Sequence, residues 1–96
     1  MSETYPVPAW ADRAHVNAET YDRLYQSSIA DPEGFWREQA KSLQWTTPFT
    51  QVRDTNFAAD DLRIRWFADG TLNASVNCVD RHLPAKADTP AILWEG

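Results

Sequence analysis

Apolar residues fall into short periodic stretches separated by turn-forming residues. Over residues 62–67, Leu62, Ile64 and Trp66 alternate with Arg63 and Arg65, the two-residue period of a half-buried strand. Asp69-Gly70 breaks the alternation, and the glycine is expected to take the positive φ that a tight turn often needs. Beyond it Leu72, Val76, Val79 and Leu83 recur at spacings of four, three and four, which predicts one apolar stripe of a helix over about 73–83. Either Thr71 or Asn73 can cap that helix by accepting from a free backbone N–H of the first turn. Strand, turn and helix form one unit whose apolar faces must meet a common neighbour.

Two helices are predicted upstream. Asn17 suits an N-cap, and Tyr21, Leu24, Tyr25 and Ser28 follow at i, i+3, i+4 and i+7, giving a helix over about 17–28. Asp31-Pro32 opens a second over about 32–43, with an acidic cap, a proline whose missing N–H costs nothing there, and Glu33 at the positive end of the helix dipole. Trp36, Ala40 and Leu43 mark its stripe. Trp45, Pro48, Phe49 and Val52 read as an extended connector stapled by aromatics, because Pro48 disfavours helix at Thr47. Residues 53–61 read as a solvated polar loop. Pro84 is expected to stop the last helix at Leu83. Residues 91–95 read as a buried apolar strand with no partner identifiable inside the chain. Residues 1–14, with Pro6 and Pro8, read as an extended arm in which Trp10 is either an anchor in a groove or an exposed indole. The fold class is α+β, mostly helical.

At 96 residues the chain allows one small domain. A net charge of −5 argues against nucleic acid and against an anionic membrane surface, both of which demand a basic face. No run approaches the length of a membrane span, and residues 1–8 have neither a basic region nor an apolar core of a secretory signal. One cysteine, Cys78, excludes an intramolecular disulfide and fits a reducing cytoplasm. Tryptophan changes the picture most. Trp10, Trp36, Trp45, Trp66 and Trp94 are five in a chain of this size. A domain so small buries only about 60–65% of its unfolded surface, so some of these indoles are expected to face another body.

The residues offer little chemistry. Gly34, Gly70 and Gly96 lie too far apart for a phosphate loop. Cys78 and His82, at i and i+4, can be drawn as a thiol–imidazole pair, but the cysteine lies beside the apolar stripe, where a small buried residue is expected. His15 has no second ligand at metal spacing, and Asp54, Asp60 and Asp61 lack the glycine and spaced oxygens of a calcium loop. Arg81 and His82 suit the negative end of a helix dipole.

Several runs carry a family resemblance: Ser28-Ile29-Ala30-Asp31-Pro32-Glu33-Gly34-Phe35-Trp36, Trp66-Phe67-Ala68-Asp69-Gly70-Thr71-Leu72-Asn73, Asn77-Cys78-Val79-Asp80-Arg81-His82-Leu83, and the closing Ala91-Ile92-Leu93-Trp94-Glu95-Gly96. Across about three-quarters of its length the chain resembles the N-terminal region of acetyl-CoA synthetases, which are AMP-forming, adenylate-forming ligases. The resemblance implies an arm at 1–14, an N-terminal domain at 15–90, and at 91–96 the start of a large AMP-binding domain. It implies that Trp36, Trp66, Asn73, Asn77, Asp80, Arg81, His82 and Trp94 are structural or docking residues. No catalytic, cofactor-binding or metal-binding residue of the family maps onto the chain. ATP, Mg2+ and coenzyme A are implied for a whole enzyme, and the remainder of the synthetase is the implied partner. Related propionyl- and acetoacetyl-CoA synthetases, and a stand-alone aromatic-rich protein-binding module, are the alternatives.

Overall fold

The structure is a computed structural model that describes residues 3–96; the first two residues of the expected arm lie outside the described residues. The chain divides into two units, Met1–Trp36 and Arg37–Gly96.

In the first unit, the stretch expected to be an extended arm holds a 3-10 helix at Ala9–Arg13, in which Ala11 N–H reaches Pro8 C=O at 2.9 Å. Helix α1 spans Ala18–Ala30 and starts where expected, with Asn17 Oδ1 accepting from Thr20 N–H at 2.8 Å. It runs two residues beyond the expected end. The first conformational block it meets is Asp31, which precedes Pro32 and is pushed out of the helical region, at φ −141° and ψ 78°. The same aspartate opens α2, Pro32–Gln39, where its Oδ1 accepts from Gly34 N–H at 3.1 Å. A Cβ on Gly34 would lie 2.1 Å from Asp31 Oδ2, so glycine leaves room for the cap. Tyr21 and Tyr25 stack with ring centroids 6.1 Å apart, and Phe35 meets Trp36 edge to face at 5.1 Å. None of the described residues up to Trp36 is buried.

The second unit contains the few buried side chains, Ala40, Val52 and Asn77. The expected helix over 32–43 gives way after Gln39 to a 3-10 turn, Ala40–Ser42. Trp45 then folds back, its Nε1 donating to Ala40 C=O at 3.0 Å. Its ring packs with Phe49 and Phe67 at centroid distances of 5.0 and 5.5 Å, and Phe49 lies 4.7 Å from Phe67. The aromatics therefore staple the connector as the sequence suggests. Thr46 and Thr47 bridge to Thr71 through backbone hydrogen bonds of 2.8–3.1 Å.

Two sequence expectations change at the sheet. Residues 53–61 are not all loop: β1, Arg53–Asn56, pairs antiparallel with β2, Arg63–Trp66, in the register Arg53 to Trp66 and Asn56 to Arg63. The polar β1 shows no alternation, its four residues all being half-buried. Arg63 makes ion pairs with Asp54, 3.3 Å away, and with Asp61, and these hold its guanidinium more firmly protonated than usual, Asp61 being the larger cause. The apolar positions expected to be half-buried, Leu62, Ile64 and Trp66, are 65%, 60% and 44% exposed, since two strands alone cannot cover a face.

At the turn after β2 no glycine has a positive φ; Phe67 does, at 48°. Its N–H donates to Val52 C=O at 2.8 Å and its C=O accepts from Gly70 N–H at 3.0 Å. Gly70 serves close packing instead, for a Cβ there would lie 2.7 Å from Trp45 Cζ3 and 3.0 Å from Phe49 Cβ. Asp69 fastens the same turn. Its carboxylate accepts from Thr50 N–H at 3.0 Å, from the Thr50 hydroxyl, and from Gln51 N–H at 3.4 Å.

The expected continuous helix over 73–83 is broken. Helix α3, Ala74–Cys78, is capped by Asn73, whose Oδ1 accepts from Val76 N–H at 3.2 Å. Val79 leaves helical geometry at φ −127° and ψ −65°, a 3-10 turn follows at Asp80–His82, and α4 covers Leu83–Lys86. Pro84 starts this last helix instead of ending the previous one, because its missing N–H is unneeded in a first turn. Residues 91–95 form no strand, and Ile92, Leu93 and Trp94 are 87%, 88% and 86% exposed. Pairing needs a second strand, and none lies beside them among the described residues. Helices with one antiparallel pair make the chain a small α+β fold, as the sequence indicates.

Two measurements test this packing. Gly70→Ala should destabilise the chain by about 1–3 kcal/mol through overpacking against Trp45 and Phe49, read as a lower urea midpoint with unchanged slope. The hydrogen bonds from Thr50, first its hydroxyl and then its N–H, hold the Asp69 carboxyl below its ordinary value of 3.8. Its stabilising contribution is thus fully present above pH 3.8 and is lost as pH falls through the lower folded value. Asp69→Asn should flatten that acid limb of a pH–stability profile.

Candidate functional site

Four of the residues singled out from sequence, Asn73, Asn77, Arg81 and His82, meet at one joint in the second unit, where α3 and the following 3-10 turn lie against residues 42–44. Asn77 is its centre. It is only 6% exposed, yet its side-chain amide is well paired: Oδ1 accepts from Gln44 N–H at 2.7 Å, while Nδ2 donates to Gln44 C=O at 2.9 Å and to Asn73 C=O at 3.0 Å. The amide thereby treats Gln44 as a strand neighbour would, exchanging both hydrogen bonds with one residue. Burying an amide without such partners costs about 1–3 kcal/mol by mutational measures.

Arg81 and His82 complete the joint. Arg81 Nη1 donates to Ser42 C=O at 2.7 Å, tying the 3-10 turn to the same segment. Once the helix breaks at Val79, the Asn77 carbonyl needs a new donor, and His82 Nε2 stands 3.1 Å from it. A carbonyl only accepts, so Nε2 carries the hydrogen. Arg81 Nε, 3.4 Å from that nitrogen, is then a neighbour and not its donor. Asn73 caps α3, and Asp80 opens the 3-10 turn in an exposed position.

The three tryptophans expected at docking surfaces lie outside this joint. Trp66 stands on β2 with Arg53 over its ring at 5.8 Å; Trp36 lies on α2 beside Phe35; Trp94 is at the exposed end of the chain. Two structural residues were not singled out by sequence. The Asp69 clasp was visible only as a turn residue. Trp45, which bonds Ala40 and packs on two phenylalanines, was read as one staple among several. The backbone of Gln44 carries no sequence signal, for its partner lies 33 residues away.

Cys78 is exposed, contrary to the buried position expected of it. It lines a shallow groove of about 440 Å³ with His82, Leu83 and Lys86. His82 Nε2 is engaged by the Asn77 carbonyl, which gives the imidazole a structural task. Among the described residues no three His, Cys, Asp or Glu side chains converge as a metal-ligand set, and no helix is long and apolar enough to cross a membrane.

The site therefore defines a structural α+β segment whose polar side chains are used to fix backbone. Residues 21–78 match the family described as acetyl-coenzyme A synthetase N-terminus. The chain is 58% identical over 93 residues to an acetyl-coenzyme A synthetase of Shewanella amazonensis, covering 96% of this chain and 14% of the relative. It is 53% identical over 95 residues to that of Parvibaculum lavamentivorans, with coverages of 98% and 15%, and 50% identical over 99 residues to that of Photobacterium profundum, with coverages of 100% and 15%. The chain belongs to the acetyl-coenzyme A synthetase N-terminal family. It spans about one-seventh of the length of the curated relatives it matches.

Removing the central amide tests the joint. Asn77→Ala should cost about 2–4 kcal/mol, since it leaves the Gln44 N–H and C=O without partners, against about 1 kcal/mol for loss of the Asn73 cap in Asn73→Ala. Urea unfolding of the two variants side by side measures the difference.

Proposed function

We propose that the chain is the N-terminal docking segment of an acetyl-CoA synthetase and has no ligase activity by itself. The observation that carries this reading is the absence of any buried side chain among residues 3–36, although α1 and α2 each present an apolar face. Isolated helices of this length are marginal in water, and their stability comes from covering such a face. A family whose other members are about seven times longer supplies a natural cover, the large AMP-binding domain.

The polar joint sharpens the division of labour. Asn73, Asn77, Arg81 and His82 use their hydrogen-bonding groups within the chain. Taken unit by unit, the large exposed side chains are aromatic and aliphatic, Trp36 among those of the first unit and Trp66 and Trp94 among those of the second. Residues 15–90 form the N-terminal domain in this reading, and residues 91–96 begin the AMP-binding domain, whose sheet gives Ile92, Leu93 and Trp94 the pairing they lack here. The whole enzyme works in the cytoplasm. Acetate and ATP, with Mg2+, give acetyl-adenylate and pyrophosphate; coenzyme A then displaces AMP to give acetyl-CoA. No residue of this chain is assigned to ATP, Mg2+ or coenzyme A. The relatives' common name favours acetate over propionate or acetoacetate as the acid.

Deleting the matched region from the Shewanella amazonensis relative should lower its melting temperature and soluble yield while leaving its preference for acetate over propionate within about twofold. A deletion variant as stable and as active as the intact enzyme would count against a docking role. The 96-residue chain alone, given acetate, ATP, Mg2+ and coenzyme A, should release no pyrophosphate above background.

A further inference from the structure

The first unit carries an apolar groove of about 400 Å³ lined by Val16, Tyr21, Leu24, Tyr25, Phe35 and Trp36. Its rim is open: Val16, Tyr21, Tyr25 and Trp36 are 48%, 64%, 50% and 43% exposed. Helix α1, 13 residues long, has no buried residue, so the groove is the surface this helix offers for packing. The volume suits one or two inserted aliphatic or aromatic side chains.

Charge identifies what can bring them. Between Glu3 and Trp36 stand six carboxylates, Glu3, Asp12, Glu19, Asp22, Asp31 and Glu33, against Arg13 and Arg23 alone. That is −4 of the whole chain's −5, so the acidity is concentrated in the unit that carries this groove, while the second unit is nearly balanced. Glu3 is engaged by the Tyr5 hydroxyl and Asp31 by the Gly34 N–H. Glu19, Asp22 and Glu33 sit in or next to the same helices, in exposed positions. An acidic partner, a second copy of this segment included, would meet like charge and lose affinity.

We propose that this groove is the seat of a basic, apolar-tipped segment of the synthetase body: one or two large hydrophobic side chains enter between α1 and the start of α2, and flanking Lys side chains meet Asp22 and Glu33. The inference rests on the docking role proposed above and adds the face and the chemistry of its counterpart. The polar joint at Asn77 takes no part in it.

A chimera tests it, made by replacing the matched region of the Shewanella amazonensis relative with residues 1–96 of this chain. Hydroxyl-radical footprinting should label Tyr21, Tyr25 and Trp36 at least fivefold more slowly in the chimera than in the 96-residue chain. Carbodiimide coupling in the chimera should join Asp22 or Glu33 to lysines beyond residue 96, and Asp22→Asn with Glu33→Gln should abolish those cross-links. Raising salt from 50 to 500 mM should speed the labelling of Tyr25. Equal labelling of the groove in both proteins would overturn the inference, as would carboxylate cross-links confined to residues 1–96. If the groove stays open while deletion of the matched region still destabilises the relative, docking stands and only its placement fails. If the deletion is also harmless, both readings fail.

Discussion

A single buried amide governs the second unit. Asn77 holds Gln44 by both its N–H and its C=O, across 33 residues of sequence. With Val52 and Ala40 the only other buried side chains among the described residues, there is too little apolar core for hydrophobic burial alone to specify how the connector meets the helix. Directional hydrogen bonds supply that specification. Once Gln44 is fixed, Ser42 is placed for Arg81 and Trp45 is aimed back at Ala40. The helix break at Val79 follows from the same demand, since a continuous helix would keep the Asn77 carbonyl for its own ladder instead of leaving it to His82.

Around this joint the fold repeats one device: a polar side chain takes the place of a missing backbone partner. Asn17, Asp31 and Asn73 do so at helix starts, Asp69 does so at a turn, and Asn77 does so between distant segments. Such contacts are short-ranged and need little buried area, which suits a segment that covers so little of its own apolar surface. Asn73, Asn77, Arg81 and His82, expected as structural or docking residues, make hydrogen bonds of this kind within the chain. A polar group engaged at 2.7–3.1 Å within the chain is not open to a partner. The aromatic faces are what remains, and they carry the proposed docking role.

The first unit poses the complementary problem. Its helices are well started and well punctuated, with Asn17, Asp31 and Pro32 in their ordinary roles, yet nothing in residues 3–36 is buried. Local signals set where these helices begin and end. They do not supply the packing that makes a 13-residue helix persist in water. In the docking role proposed above, the uncovered stripe is the face that meets the rest of a longer synthetase.

Sequence alone settled the starts of α1, α2 and α3, the α+β class, the aromatic stapling of residues 45–52 and the family, because caps and periodic stripes act over three or four residues. It misplaced what depends on distant partners. Residues 53–56 became a strand by pairing with residues 63–66, with a diagonal Arg63–Asp54 ion pair across a pairing that no alternation announces. The positive φ fell on Phe67 instead of Gly70, while the glycine's missing Cβ makes room for the Trp45 ring and Phe49 Cβ. Residues 91–95 stayed unpaired and exposed, as an apolar run is only a strand in the presence of another. Tertiary structure decided these points since each is an energy of two segments, and neither segment carries it by itself.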